Sequence, residues 1–235
     1  MIISHRHRFI FIKTMKTAGT SLEICLSGIC GPEDVITPIS TADERTRKAL
    51  GFRGPQNDRV PLASYTKRDW ARFFLQRRAQ RFYNHMPIRE FQPYLQPDEY
   101  RDYFKFAVER NPYDKLISAF HFANRNEVRF PTLSDYIRSG LAGQPHGFDL
   151  YSLNNEPVVN RIYRFESLPD ALDDLTQQLG LNEPLTLPEK KAKGNIRPRG
   201  RHYSTYFSPE DKAWADRVFA REIAHYGYTF ETEDA

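Results

Sequence analysis

The sequence predicts an α/β fold with a central, mainly parallel sheet and helices on both of its faces. Three short runs rich in aromatic and β-branched residues predict buried strands, and a segment with helical character follows each of them. Strands that alternate with helices favour parallel pairing, because the intervening helix returns the chain to the same end of the sheet. The chain has 235 residues, of which 40% are hydrophobic and 27% charged, so it can bury one full core.

The first predicted strand runs from Phe9 to Lys13 and ends abruptly at the lysine. A short loop rich in Lys, Thr and Gly follows. Thr20 or Ser21 can then cap a helix that continues to about Ile29, because their hydroxyls accept N–H groups of the first turn.

Residues 31–66 are rich in Gly, Pro, Asp, Thr and Ser and show little periodicity. This composition predicts an irregular surface insert, serving as a lid or an acceptor-binding segment. Lys67 to Phe82 predicts a basic helix, for which both a merely solvated face and a binding role stay open. Gln96 to Tyr103 predicts a short helix.

The second predicted core strand is Phe104 to Glu109, and Asn111-Pro112 opens the next helix, since proline is tolerated where no amide donor is needed. The remaining predicted elements are a short helix from Leu133 to Ser139, a loop from Gly140 to Pro157, a strand from Arg161 to Phe165, an amphipathic helix from about Leu168 to Leu179 stopped by Gly180, a basic loop from Lys190 to Tyr206, and a helix from Ser208 to about His225.

The loop after the first strand predicts an anion site. A strand, a tight loop and a helix N-terminus direct unpaired N–H groups and the positive end of the helix dipole toward one point. Gly19 lets the backbone approach a ligand, and Lys16 adds a mobile charge. Thr17, Thr20 and Ser21 add hydroxyl donors.

Like a Walker A motif, the loop would present backbone amides and a lysine to an anion, but it lacks the spacing of that motif. Lys16 precedes the single glycine, Gly19, whereas the Walker lysine follows a glycine. ATP and GTP are therefore less favoured as ligands.

The second strand–helix unit predicts a contact with a further phosphate. Arg110 follows the strand at the end where open α/β sheets bind ligands, and Ser118 lies two turns into the next helix. A guanidinium can form a forked, charge-assisted pair with a phosphate. Together the two units indicate a ligand with two separate phosphates.

Two motifs resemble those of sulfotransferases. K-T-M-K-T-A-G-T-S (residues 13–21) resembles their 5′-phosphosulfate loop, and E-R-N-P-Y-D-K-L-I-S (residues 109–118) resembles their 3′-phosphate motif, in which Arg and Ser stand eight apart. N-H-M-P at 84–87 and R-F-E-S-L at 164–168 are similar to segments of the carbohydrate branch, related to the heparan 2-O- and chondroitin sulfotransferases. Glu109 departs from the pattern, because that position is usually apolar in the family.

The resemblance implies a P-loop NTPase-like three-layer sandwich, a single domain over residues 1–235, and the donor 3′-phosphoadenosine 5′-phosphosulfate (PAPS). It implies a hydroxyl-bearing acceptor, with a saccharide preferred, and no metal, since a sulfuryl group carries little charge. The residues expected to contact the donor are Lys13, Thr14, Lys16, Thr17, Ala18, Gly19, Thr20, Ser21, Arg110, Ser118, and, from the late basic loop, Lys193, Arg197 and Arg199.

Two residues are expected to be catalytic. Lys16, with the amides of residues 17–21, suits the charge that grows on the leaving phosphate. His85 is the favoured general base, because the ordinary pKa of histidine lies near operating pH. Glu109 and, more weakly, Glu166 stay open as alternatives, although a cationic site opposes the raised pKa that a carboxylate base needs.

The bulk properties leave other partners open. The net charge of +4 and the isoelectric point of about 9.0 favour anionic partners in general. The alternative functions are a non-enzymatic polyanion-binding protein and a nucleotide phosphotransferase. Few aromatic residues lie between the basic ones, which disfavours nucleic acid as the ligand. No apolar run is long enough to span a bilayer, and the N-terminus lacks signal-peptide features, so we expect a cytoplasmic protein. Cys25 and Cys30 are expected to be buried free thiols.

Overall fold

The computed structural model describes residues 1–143, 147–188 and 201–233. Its strands are β1 (Ile2–Ser4), β2 (Phe9–Ile12), β3 (Val35–Ile36), β4 (Phe104–Glu109), β5 (Ser152–Leu153), β6 (Glu156–Pro157) and β7 (Arg161–Arg164). Its α-helices are α1 (Gly19–Ser27), α2 (Thr41–Ala49), α3 (Lys67–Gln76), α4 (Ile88–Phe91), α5 (Pro97–Asp102), α6 (Pro112–Ala123), α7 (Leu133–Arg138), α8 (Phe148–Tyr151), α9 (Leu168–Gln178), α10 (Pro209–Val218) and α11 (Ala220–Tyr226).

The central sheet has five strands in the order β3-β1-β2-β4-β7. β4 pairs in parallel with both β2 and β7, and the register places Ile12 of β2 opposite Ala107 of β4. β1 is antiparallel to β2 and to β3. The predicted parallel strands are therefore confirmed, but the sheet is mixed because β1 runs in the opposite direction to the other four strands.

Helices cover both faces of the sheet, which gives three layers. Phe9 and Phe11 of β2 pack with α1 and α9 on one face, in a core that includes Leu22 and Leu175. The alternate residues of β2 pack on the other face with α4, α8 and the segment around Met86. This alternation is the ordinary consequence of the two-residue period of a strand.

A third cluster joins the C-terminal helices to α6. Leu116, Ile117 and Phe120 pack with α7, α10 and the segment around Tyr203. This packing fixes the helix that follows β4, and α6 carries Ser118. No helix in the described ranges is long and apolar enough to cross a membrane.

The segment from 31 to 66 contains more regular structure than expected. Val35 and Ile36 form β3 at the sheet edge, and α2 follows with Ser40 as its cap, whose side chain accepts the Asp43 amide. Two residues are too few to reveal a strand period, so the sequence indicated only an irregular insert.

Three helix bounds also differ from the prediction. α1 begins at Gly19 after Ala18, so the predicted caps Thr20 and Ser21 lie inside its first turn. α3 stops at Gln76, six residues before the predicted end at Phe82, because Arg77 adopts a left-handed conformation with φ of 50°. The last predicted helix is divided in two at Phe219, which ends α10 and precedes α11.

Candidate active site

Two loops meet at the carboxyl ends of β2 and β4. These strands are parallel neighbours, so the loop from Lys13 to Ala18 and the turn at Arg110 emerge at the same edge of the sheet. Arg110 Nη1 donates to the carbonyl oxygen of Lys16 at 3.1 Å. The structure therefore brings the two predicted phosphate motifs together.

Two threonines inside the loop stabilise its shape. Thr14 donates its hydroxyl proton to the Val108 carbonyl of β4, and its Oγ1 lies 2.8 Å from Thr17 Oγ1. Both side chains are buried. Lys16 and Ala18 have positive φ values of 63° and 55°, which L-residues rarely adopt. The Thr14 and Thr17 side chains therefore support the loop, and contact of these two residues with the donor stays a prediction.

The loop leads directly into the N-terminus of α1, where the amides of Gly19, Thr20 and Ser21 lie in the first turn. Gly19 is required by packing: a Cβ there would lie 2.9 Å from Lys13 Cγ and 3.3 Å from the Thr14 carbonyl oxygen. The tight turn therefore needs glycine independently of any ligand.

Lys13 lies beneath the loop in a buried charge cluster. Its Nζ is 2.8 Å from Glu23 Oε2, and both side chains are buried. Arg47 of α2 approaches the same carboxylate at 3.7 Å and also pairs with Glu44 at 3.0 Å. Burial opposes the ionisation of Glu23, but the surrounding cations outweigh it and lower the pKa of this carboxyl. The Lys13 side chain thus supports the loop from below, and contact of this residue with the donor stays a prediction.

Lys16 extends from the loop toward α6. Its Nζ lies 4.0 Å from the ring centroid of Phe122, which is one helical turn beyond Ser118. The guanidinium of Arg125 lies 3.9 Å from the same ring. Lys16 and the half-buried Ser118 therefore belong to the same side of the candidate site.

Arg110 is held in place before any ligand is bound. Its Nε donates to Asp114 Oδ2 at 2.8 Å, and Nη2 contacts the same oxygen. Its guanidinium also lies 4.2 Å from the ring centroid of Phe165, and its side chain is 12% exposed. A phosphate at this position would share the guanidinium with Asp114, whose spacing of four residues from Arg110 was visible in the sequence.

Glu109 points away from the guanidinium of Arg110. Its carboxylate accepts the Lys115 ammonium, the Arg110 amide at 3.0 Å and the Tyr151 hydroxyl at 2.8 Å. It is fully buried, so it is a poor alternative base. Glu166, the other alternative, accepts the Asn111 amide at 2.7 Å and so fixes the start of α6.

His85 reaches the loop from the segment before α4. Its Nδ1 lies 2.9 Å from the Lys13 carbonyl oxygen. A carbonyl only accepts, so Nδ1 carries the proton and Nε2 keeps its lone pair. Burial, assisted by the positive charge of Lys13, lowers the pKa of His85 to about 4. The ring is therefore neutral near pH 7 and can accept a proton, but it is a weaker base than the sequence predicts, because its pKa lies below operating pH.

Several predicted residues cannot be placed against this geometry. Lys193, Arg197 and Arg199 lie outside the described residues.

The sequence did not single out three residues that orient Lys16 and Arg110, namely Phe122, Phe165 and Asp114. The available signal was their spacing: Asp114 is four residues from Arg110, and Phe122 is four residues from Ser118.

A cavity of about 580 Å³ lies at the opposite end of the sheet from this corner. It is lined by Ile3 of β1, by His5, which follows β1 toward the amino end of β2, and by Arg59 and Glu99. We therefore assign the donor site to the corner, whose anion-binding groups converge, and not to this cavity.

The comparison with protein families agrees with the two motifs. The model of the sulfotransferase family matches residues 1–229. Among curated proteins, none matches the chain significantly. Among solved structures, the crystal structure of mouse sulfotransferase SULT7A1 complexed with PAP matches at 14% identity, covering 94% of this chain and 86% of that chain, with a TM-score of 0.48. Because the family model spans nearly the whole sequence, the chain belongs to the sulfotransferase family.

Proposed function

We propose that this enzyme transfers a sulfuryl group from PAPS to an acceptor hydroxyl. The observation that carries the proposal is the hydrogen bond of 3.1 Å from Arg110 to the Lys16 carbonyl oxygen. It joins the two motifs at one edge of the sheet, where a nucleotide with separate 5′ and 3′ phosphates would contact both. Family membership supports sulfuryl transfer as the reaction.

The residues at the corner fit such a donor. The amides at the start of α1 and the ammonium of Lys16 suit the 5′-phosphosulfate, because a helix N-terminus and a lysine both supply positive charge to an anion. Arg110 and Ser118 suit the 3′-phosphate, since a guanidinium and a hydroxyl both donate to phosphate oxygens. The proposal therefore assigns each motif to one end of the donor.

The transfer would proceed in line. The acceptor oxygen forms a bond to sulfur while the bond from sulfur to the 5′-phosphate oxygen breaks, leaving 3′,5′-adenosine bisphosphate (PAP). Lys16 stabilises the negative charge that develops on the departing oxygen. His85 Nε2 accepts the proton of the hydroxyl, since Nδ1 is already committed to the Lys13 carbonyl. That this reaction needs no metal stays a prediction.

We propose a saccharide as the acceptor. The support is the resemblance of N-H-M-P at 84–87 and R-F-E-S-L at 164–168 to the carbohydrate branch of the family. The first of these segments contains His85, which lies beside the loop.

Thermal shifts distinguish the candidate ligands. We expect PAP without magnesium to raise the melting temperature, because a ligand that binds only the folded state stabilises it. At a hundredfold excess over Kd the gain is about 2.7 kcal/mol, which corresponds to roughly 5–10 °C for a chain of this length. Stabilisation by ATP with magnesium alone, or by an oligonucleotide alone, would contradict the proposal.

A transfer screen with radiolabelled PAPS tests the acceptor separately. Oligosaccharides, tyrosine peptides and phenols are offered in parallel, and we expect label on the oligosaccharides. Label on peptides alone would refute the saccharide while leaving the donor proposal intact.

A further inference from the structure

The outer face of α3 carries large apolar side chains that the fold leaves in solvent. Phe74 is 72% exposed and Leu75 is 84% exposed, and Trp70 is 36% exposed. Trp70 and Phe74 are stacked with ring centroids 5.7 Å apart, as their spacing of one helical turn allows. A contiguous exposed apolar surface of this kind marks an interaction site.

The inner face of α3 is fixed, so the helix cannot rotate to bury these residues. Asp69 is buried and forms a capping box with Thr66. The Tyr94 hydroxyl donates to the Asp69 carboxylate at 3.2 Å. Phe73 packs edge-on against Tyr65 with centroids 6.1 Å apart. The exposure of Phe74 and Leu75 therefore follows from the packing of the opposite face.

Basic residues border the apolar face. The segment from 67 to 81 contains six of them and one acidic residue, the buried Asp69; the six are Lys67, Arg68, Arg72, Arg77, Arg78 and Arg81. On the helix surface Arg68 and Arg72 lie beside Leu75, because they are seven and three residues away from it. The face thus combines aromatic and aliphatic tips with a cationic border.

We propose that α3 docks this protein on the surface of an anionic lipid bilayer, with Trp70, Phe74 and Leu75 entering the headgroup region. An amphipathic helix with aromatic and leucine side chains on one face and arginines beside them is suited to that interface. A second copy of the chain would bring like charges together. A soluble polyanion would satisfy the arginines but leave Leu75 in water. Of these three occupants, the bilayer satisfies both parts of the surface.

Vesicle binding tests this directly, with Trp70 as the reporter. The chain has two tryptophans, so the Trp214→Phe variant leaves Trp70 alone. We expect its emission to shift to shorter wavelength with vesicles of phosphatidylglycerol and phosphatidylcholine, but not with phosphatidylcholine alone. The protein should co-sediment with the anionic vesicles, and added salt should weaken the binding.

Two double variants separate the apolar part from the charged part. Phe74→Ser with Leu75→Ser should reduce vesicle partitioning more than tenfold. Arg68→Gln with Arg72→Gln should also reduce it more than tenfold, since each basic residue near an anionic surface contributes about fivefold. The matched control is Val128→Ser, which removes an apolar side chain that is 79% exposed outside α3 and should change nothing. Melting temperature and PAP binding should be unchanged in all three variants, so the outcome is independent of the proposed function.

Three results would overturn the proposal. One is an absence of anionic vesicle binding by the folded protein. Another is heparin or oligonucleotide binding that the two serines leave intact while vesicles are ignored. The third is a dimer that the two serines abolish, in a protein that does not bind vesicles.

Discussion

Substitution of Lys16 should affect catalysis more than ligand binding. The helix N-terminus already presents amides to the ground-state anion, so we expect the ammonium to act mainly when charge appears on the leaving oxygen. Lys16→Ala should lower kcat about a hundredfold or more, by analogy with the loss of one oxyanion donor. PAP affinity, measured by calorimetry, should weaken much less. An equal loss in kcat and in PAP affinity would assign Lys16 to ground-state binding.

His85→Ala should lower kcat for a different reason, the missing proton acceptor. An acidic phenol loses its proton with little help, so such an acceptor should rescue His85→Ala but not Lys16→Ala. Initial rates with acceptors of graded acidity provide the measurement. Rescue of both variants, or of neither, would mean that at least one role is wrongly assigned.

The pKa of His85 has a consequence for stability. In the folded protein it is lowered from the ordinary 6.5 to about 4, mainly by burial. Between these values the unfolded chain binds a proton that the folded chain does not, so stability should fall as pH drops from 6.5 to 4. NMR titration should give a midpoint near 4 for the resonance that His85→Gln removes. A midpoint near 6.5 would contradict the lowered pKa of His85.

Arg110 is the residue whose role depends most on its neighbours. Arg110→Ala should weaken PAP binding at least about tenfold, because a charge-assisted contact contributes roughly 1.5–3 kcal/mol. Arg161→Ala is the matched control: Arg161 begins β7, at the opposite end of the parallel strands from the site. Calorimetry should show unchanged PAP affinity for the control. An equal loss of affinity in both variants would indicate only a loss of general positive charge.

The loop and α1 share a buried charge network that should control the stability of this element. Glu23→Gln leaves Lys13 and Arg47 in the interior without their carboxylate. We expect a loss of about 3–5 kcal/mol in the free energy of unfolding, measured with urea. Asp58→Asn, which removes the partner of the half-exposed Arg81, should cost less than about 1 kcal/mol. Equal losses would show that the buried cluster has no special role.

The two strand–loop–helix corners could be predicted because each signal is local. An apolar run ends at Lys13 or Glu109, and Gly19 or Pro112 follows at a helix start. β1 and β3 could not be predicted, since three and two residues carry no readable period and are held by their neighbours. α2 was missed although Ser40 and Asp43 form a recognisable cap.

The sequence predicts where the site lies better than it predicts what each residue does there. The sequence assigned Lys13, Thr14 and Thr17 to the ligand because of their place in the loop. In the structure the side chain of Lys13 contacts Glu23, that of Thr14 contacts Val108 and that of Thr17 contacts Thr14, since the loop is tight enough to need internal partners. Composition cannot distinguish an outward from an inward hydroxyl, which depends on the φ values of Lys16 and Ala18.

At the level of the whole chain, the strands beside the site come from distant parts of the sequence. β2 and β4 are separated by ninety-one residues, and the buried core continues from Ile2 to Leu185. We therefore propose that the chain folds as one domain, in which the corner exists only when the sheet is complete. PAP should then raise the midpoint of a single cooperative unfolding transition.

Transfer of radiolabelled sulfate from PAPS, with a chelator present, tests the central claim most directly. We expect the folded enzyme to label an oligosaccharide and to release PAP in equal amount. The Lys16→Ala variant should do so at least about a hundredfold more slowly. A folded protein that transfers no label to any oligosaccharide, peptide or phenol, and whose melting temperature PAP leaves unchanged, would contradict the account.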